Sequence, residues 1–353
     1  LTNLERLQAS LAGAETPALL LTTMSNVRWA SGFTGSSGQA WVTPTRAVFL
    51  TDSRYTIQAR EQCAGWDVRS FGAPKTLADA MREVATNLAL KSVMFETSLP
   101  YATWQEYSDL GLQLVPEPGI VKPLRMVKSA EELRRIEEAC KLAEACMAHA
   151  ARMLQPGVSE YDVGLDIEFY FRRQGARACF DPIVASGPNS ARPHARPSER
   201  KFERGDFVTL DLGAELDGYC SDITRTFVVG QAGDRQREVY EQVLEAEQAA
   251  IAAMRPGMTG VEADAVARES LQRKDLAQYF GHGLGHGLGI EVHDPGGLST
   301  RSKDVLAEGQ VWTVEPGVYI EGFGGVRIED DVVVTADGTR VLTHFERGLT
   351  ELT

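Results

Sequence analysis

Long apolar runs are missing from these 353 residues. None approaches the roughly 20 residues needed to span a bilayer, so a membrane-embedded protein is not expected. The opening segment LTNLERLQASLAG puts Glu5 and Arg6 into an amphipathic helical start. It lacks the basic flank and apolar centre of a secretion signal. Basic charge is also in short supply: 36 Lys and Arg against 49 Asp and Glu give a net charge of −13. Such a surface repels phosphate backbones, which argues against nucleic acid as a partner. The five cysteines, Cys63, Cys140, Cys146, Cys179 and Cys220, form an odd set without a C-x-x-C pair. Neither a disulfide framework nor a zinc-thiolate cluster is indicated, and reduced thiols in the cytoplasm fit best. There is no G-x-G-x-x-G fingerprint, no H-E-x-x-H helix and no G-x-S-x-G elbow, and Gly35-Ser36-Ser37-Gly38 reads as a loop.

What is present is ordinary globular material, 43% hydrophobic and 24% charged. The length suits two domains. Up to about residue 125, short apolar runs such as PALLLTT, AVFLTD and KSVMFE alternate with helical stretches such as Thr76 to Leu90, which predicts an α/β domain. The segment 115–128, with Pro116, Pro118 and Pro123, reads as a linker. A capping box, Ser129-Ala130-Glu131-Glu132, then predicts a helix start. Its apolar stripe is Leu133, Ile136, Cys140, Ala143 and Met147. The second domain is therefore placed over residues 126–353.

This second domain carries a weak internal repeat. MLQPGVSEYDV at 153–163 and AMRPGMTGVEADAV at 253–266 both read helix, Pro-Gly break, helix. Each is followed by a strand pair bearing two acids. In the first, GDFVTLDLGAELDGYCSDITRTFVVG, a tight turn at Asp217-Gly218 puts Asp222 opposite Gly213. Asp211 shares the face of Gly213, so the two aspartates become diagonal neighbours. In the second, VWTVEPGVYIEGFGGVRIEDDVVVT, a loop centred on Gly322 puts Glu315 opposite Glu329. Like charges so close destabilise a sheet unless a cation lies between them. A single acid in a strand would be an ordinary surface residue; four acids in two such hairpins point to metal. Between the hairpins, FGHGLGHGLGIEVHD gathers His282, His286 and His293, three of six histidines in the chain, among glycines that let the backbone approach a site closely.

Four carboxylates and one imidazole suit hard or borderline divalent ions, and two ions balance four negative charges. Such a pair acidifies water and polarises a carbonyl, so metal-assisted hydrolysis is the expected reaction class. Histidines beside the ligands, His282 and His293, could stabilise an oxyanion.

The segments DLGAELDGYCSDITRTF, HGLGHGLGIEVHD, TVEPGVYI and GVRIEDD, in this order and spacing, resemble the pita-bread metallopeptidases: prolidase, aminopeptidase P, methionine aminopeptidase and creatinase. The resemblance covers nearly the whole chain. It implies a creatinase-like α/β N-terminal domain, 1–125, followed by an α+β pita-bread catalytic domain with an internal pseudo-two-fold repeat. By the same resemblance Asp211, Asp222, His286, Glu315 and Glu329 match the five metal ligands of two divalent ions, with Mn²⁺ expected and Co²⁺ or Zn²⁺ as alternatives. Glu315 would also shuttle a proton. His293 would lie near the scissile carbonyl, His282 would be a further active-site histidine, and His194, in SGPNSARPHARPSERKFERGD, would sit over the cleft. Arg327 would pair with a carboxylate of the site or of the substrate.

SNVRWASGFTGS and FLTDSRY resemble the creatinase-type N-domain, which methionine aminopeptidases lack, while creatinase lacks the metal ligands. The implied activity is hydrolysis of the bond before proline in a small Xaa-Pro peptide, by a dipeptidase or alternatively by an aminopeptidase P acting on longer peptides. Proline offers no N–H to an enzyme that grips the backbone, and a Lewis acid does not need one. The resemblance further implies an N-domain that restricts the cleft to short peptides, and a homodimer. A catalytically silent peptide-binding module is the reading from another class, and loss of a metal ligand would favour it; none is lost.

Overall fold

The short apolar runs at the start of the chain become strands because they are β-rich and too short to bury a helical face. In the computed structural model, which describes residues 1–352, they belong to the first of two compact units, Leu1–Arg125 and Met126 onward. The first unit is built on a six-stranded mixed sheet in the order Asp67–Phe71, Ala47–Asp52, Gln39–Val42, Leu19–Leu21, Ser92–Phe95, Gln113–Pro116. Trp41, Val48 and Leu50 on its strands pack against Met81 and Val84 of the helix Leu77–Asn87. Thr76 and Asp79 close that helix with a capping box.

The expected linker at 115–128 is not one. Pro116 ends an edge strand, where its missing N–H leaves no ladder bond broken. Pro123 is the third residue of a short helix, Val121–Met126, within the first turn, where an amide would have no intrahelical partner.

In the second unit the internal repeat is structural. The helices Ala130–Ala151 and Glu160–Arg173 form one pair, and Asp234–Ala253 and Gly260–Gln272 the other. Ser129 and Glu132 cap the first helix as the sequence predicts. The two Pro-Gly breaks dock identically one hundred residues apart. Gly157 donates to the Phe202 carbonyl and Gly257 to that of Leu306; Phe202 donates to Val158, and Leu306 to Met258. Each half has its own core: Met147, Ile167, Phe171 and Leu210 in the first, Val243, Leu271, Trp312 and Val332 in the second.

The first half lays down three strands, Ile223–Val229, Phe207–Leu212 and Ile183–Ser186, and Thr350–Leu352 from the far end of the second half adds a fourth in parallel beside Ile223–Val229. The second lays down five strands, Asp294–Leu298, Gly285–Gly287, Val311–Val314, Asp330–Val334, Thr339–Val341. Both predicted turns are present. Leu216 pairs with Tyr219 across Asp217 and Gly218, whose φ values of 49° and 83° are the left-handed pair a two-residue hairpin demands. The second hairpin is centred on Gly322, with Ile320 opposite Gly324 and Gly317 opposite Arg327. Among the described residues no helix is long and apolar enough to cross a membrane.

The histidine strand Gly285–Gly287 runs so close to Val311–Val314 that a Cβ on Gly285 would lie 2.0 Å from the Thr313 carbonyl oxygen. Backbone cannot yield as a side chain can. Gly285→Ala is expected to destabilise the protein by about 1–3 kcal/mol, measured as a lowered urea midpoint; an unchanged midpoint would contradict the close approach.

Candidate metal centre

Five residues at strand ends build the site. Asp211 is the penultimate residue of Phe207–Leu212, Asp222 directly precedes Ile223–Val229, and His286 is the middle of Gly285–Gly287. Glu315 directly follows Val311–Val314, and Glu329 directly precedes Asp330–Val334. Register places Glu315 opposite Glu329, because Val314 pairs with Asp330 on one side and Gly317 with Arg327 on the other. At the acids themselves, however, the ladder opens. Glu315 donates its amide to the Leu284 carbonyl at 2.8 Å, and Glu329 donates to Thr224 at 3.1 Å. Asp222 in turn gives its amide to the Asp331 carboxylate at 2.9 Å. The two halves are stitched together at Asp222 and Glu329, which brings their carboxylates into one cavity.

All nine candidate side chains line one cavity of about 460 Å³: Asp211, Asp222, His286, Glu315, Glu329, His194, His282, His293 and Arg327. Its volume suits a small ligand. One ligand atom each of Asp222, His286 and Glu329 lie within 4.8 Å of one another. Glu315 joins through His286, with its Oε1 3.5 Å from Nε2, and Asp222 Oδ2 is 3.6 Å from the same nitrogen. Asp211 receives Arg327 Nη2 at 2.6 Å through Oδ2. Its Oδ1, like Asp222 Oδ1, is buried without a hydrogen-bond partner.

The donor inventory does not close without a cation. His286 Nδ1 lies 3.0 Å from the Gly287 carbonyl and so carries the proton. Nε2 therefore presents a lone pair to two carboxylate oxygens. Burial, with a smaller push from His293, lowers the His286 pKa to about 4, so the ring is neutral. Burial raises the Asp222 and Glu329 carboxyls well above the usual range, and the neighbouring acids add to it. Glu315 is pushed up to about 8, again by burial first, with Arg327 opposing and Asp211 reinforcing. A buried group of acceptors with too few donors is costly, and a divalent cation bound by its oxygen and imidazole ligands relieves it. The residues present fit metal.

The remaining candidates divide by exposure. Arg327 is 3% exposed, and its guanidinium is committed to the protein. Besides Asp211 it reaches Thr224 Oγ1 at 3.0 Å, the Tyr319 hydroxyl at 2.7 Å and the Pro193 carbonyl at 3.3 Å. Of the two partners its type allowed, it holds the carboxylate of the site. The phenol accepts from Arg327 and donates to His282 Nε2 at 3.0 Å, whose Nδ1 then donates to Gly283 at 2.9 Å. His282 is thus engaged at both nitrogens, and burial followed by the Arg327 charge lowers its pKa to about 4. His194 and His293 are exposed on the cavity wall, the His293 ring centroid 4.2 Å from that of His286.

Several supporting residues escaped the sequence reading: Tyr319, Asp331, Thr224 and Thr313. All sit two or four positions from one of the cavity's acids. Thr224 donates to Glu329 at 2.6 Å, and Thr313 to Glu315 at 3.3 Å. Stepping by two from Asp222, Glu315 and Glu329 would have found them.

Fold and site together define a metal-dependent peptidase of two internally repeated halves, in a chain that also carries a separate α/β unit. The family model for metallopeptidase family M24 matches residues 134–336, and that for the creatinase/prolidase N-terminal domain matches residues 3–127. The chain belongs to metallopeptidase family M24. It is 44% identical over 350 residues to the uncharacterized peptidase YqhT of Bacillus subtilis, covering 98% of this chain and 99% of the relative. It is 46% identical over 231 residues to the Xaa-Pro dipeptidase of Pyrococcus furiosus, covering 65% of this chain and 66% of that one. Among solved structures, an Xaa-Pro dipeptidase from Bacillus anthracis superposes with a TM-score of 0.95 at 40% identity, covering 99% of both chains. An X-Pro aminopeptidase from Thermotoga maritima gives 0.91 at 33% identity, covering 98% of this chain and 100% of that one.

The buried acids set a sign for pH dependence in metal-stripped protein. A carboxyl whose folded pKa is raised stabilises the fold below its unfolded pKa and loses that contribution as pH rises through the folded value. His282 and His286, lowered to about 4, act oppositely, but only below the ordinary histidine value of 6.5. From pH 6.5 to about 8, where Glu315 titrates, only the loss remains. Urea midpoints of metal-free protein should fall across that window, and saturating Mn²⁺ should flatten the slope. A metal-independent slope would count against the site.

Proposed function

We propose that the chain is an Xaa-Pro dipeptidase, hydrolysing the bond before proline in dipeptides with the help of two divalent ions, Mn²⁺ in the first instance. The observation that carries this reading is the cavity in which Asp211, Asp222, His286, Glu315 and Glu329 converge. The whole-length likeness to the Bacillus anthracis dipeptidase supports the substrate class. Asp211, Asp222, His286, Glu315 and Glu329 would hold the ions. Ions bound there supply Lewis acidity toward a scissile carbonyl and make water a usable nucleophile at neutral pH.

The chain's own groups do the rest. Glu315, on the cavity wall beside His286, takes a proton from the attacking water and returns it to the leaving proline nitrogen. His293, with an exposed ring on the cavity wall, donates to the developing oxyanion. Arg327 fixes Asp211, while the Arg327, Tyr319 and His282 chain keeps the neutral His282 ring in one orientation. His194 bounds the cavity on the substrate side. Residues 1–125 and 126–353 act as N-terminal and catalytic domains. The same reading makes the protein a cytoplasmic homodimer, in keeping with five unpaired thiols. Aminopeptidase P activity on longer peptides is the second reading, favoured by the likeness to the Thermotoga maritima enzyme.

Comparing kcat/KM for Ala-Pro and Ala-Pro-Ala with Mn²⁺-loaded protein separates the two: the dipeptide should be the better substrate, and faster cleavage of the tripeptide rejects the dipeptidase. EDTA should abolish turnover, and Mn²⁺ or Co²⁺ should restore it. In Glu315→Gln, kcat should fall by about 10²–10⁴-fold, the range for loss of a general acid–base group. Circular dichroism should show the fold retained. Turnover close to wild type would remove Glu315 from the reaction.

A further inference from the structure

We propose that the buried ion pair between Lys128 and Asp294 aims His293 into the cavity, which makes both of them positioning residues for the hydrolysis. The inference rests on the reading that gives His293 the developing oxyanion, and it names what holds that ring in place.

His293 is the last residue of the loop 288–293, between the strands Gly285–Gly287 and Asp294–Leu298. The loop closes where Gly287 pairs with Asp294, and the register shifts there, because His286 pairs with Gly297. A bulge of this kind disrupts the ladder locally and re-aims the side chains beside it. The near limb of the loop is tied through its backbone: Leu288 donates to Val311 at 3.1 Å, and Gly289 accepts from Cys220 at 2.8 Å. At the far limb, which bears His293, a side chain carries the tie. Asp294 Oδ2 accepts from Lys128 Nζ at 3.1 Å, and each side chain is 2% exposed. The loop lies down on this pair. A Cβ on Gly289 would stand 2.7 Å from Asp294 Oδ2 and 3.2 Å from Lys128 Cε, so a side chain there would force the two charges to move.

Lys128 is itself fixed to the strand that runs into Glu315. Its amide donates to the Gly309 carbonyl at 2.8 Å, and Val127 bridges to Gln310, the residue before Val311–Val314. Gly309 and Gln310 are bonded in turn to Val334, the last residue of the strand that begins just after Glu329. The ammonium therefore ties His293 to the two strands that carry Glu315 and Glu329. In the cavity the His293 ring comes to rest with its centroid 4.2 Å from that of His286. A buried ion pair adds little net stability over apolar groups of the same size, but it has a direction, and removing one partner leaves a charge buried alone. Direction is what an oxyanion donor needs, since it must sit within about 0.5 Å of its productive place.

The test uses full-length, Mn²⁺-loaded protein and Ala-Pro, with bound metal measured for every variant. Asp294→Asn keeps the shape and removes the charge. Its kcat should fall about 10- to 100-fold, the range for groups that orient others, with KM and bound Mn²⁺ largely kept. His293→Ala should lower kcat by about 10²-fold or more. Adding Asp294→Asn to it should lower kcat no further, because the pair then has nothing to aim. Lys128→Met/Asp294→Asn leaves no buried charge unpaired, so its thermal midpoint should exceed that of Lys128→Met while kcat stays as low as in Asp294→Asn. If Asp294→Asn alone does not fold, this double variant with and without His293→Ala gives the same comparison. Recovery of kcat together with the midpoint would reduce the pair to a stabilising contact and overturn the proposal, as would an Asp294→Asn effect that persists in full on His293→Ala. If Asp294→Asn turns over like wild type while His293→Ala is slow, the pair aims nothing and His293 keeps its role. If His293→Ala turns over like wild type, the oxyanion reading falls and this proposal with it.

Discussion

Carboxylates that share a buried cavity with a neutral imidazole cannot all carry charge unless a cation joins them. The surrounding structure is arranged around that constraint. Asp222, Glu315 and Glu329 have their carboxyls raised by burial, and two buried oxygens, on Asp211 and Asp222, have no protein donor. A protein folding for stability alone would avoid such a group of acceptors. Here each acid is instead fixed by a contact of its own: Asp211 by Arg327, Asp222 through its amide by Asp331, Glu315 by Thr313 and Glu329 by Thr224.

Those contacts explain why the two halves meet as they do. Asp211 keeps its place in the sheet between Ile183 and Thr224, but each hairpin gives up its ladder at another acid and borrows a partner from the other half: Glu329 from Thr224, Asp222 from Asp331. Behind them Arg225, 1% exposed, donates to the Glu329 carbonyl at 2.6 Å and to Asp330 at 2.8 Å. A buried ion pair of this kind adds little net stability, because desolvation offsets attraction. Its effect is to hold Glu329 at one angle. The Arg327, Tyr319 and His282 chain does the same for Asp211 and for the histidine segment, and it also reaches the carbonyl of Pro193, next to His194.

Much of this was legible beforehand, for reasons that differ by residue. Asp217-Gly218 announces its hairpin because only a turn with two positive φ angles favours that pair, and the turn then sets which acids face each other. Glu315 and Glu329 follow by counting outward from Gly322. The helix starts at Thr76 and Ser129 were visible because capping is local chemistry. The proline-rich stretch at 115–128 misled, since proline forbids an interior ladder bond and a helix interior but permits an edge strand and a first turn. Tyr319, Asp331 and Thr224 were overlooked although they follow the cavity's acids at a period of two.

The order of residues by itself determined the hairpin registers, the repeated helix pairs and the identity of the acids and histidines, because turns, caps and periodicity act over a few residues. Only the tertiary structure decided that the ladders open at Asp222, Glu315 and Glu329, and that Arg327 turns to Asp211 rather than outward. Those outcomes depend on groups more than a hundred residues apart competing for the same donors and acceptors, and no local pattern records which of them wins.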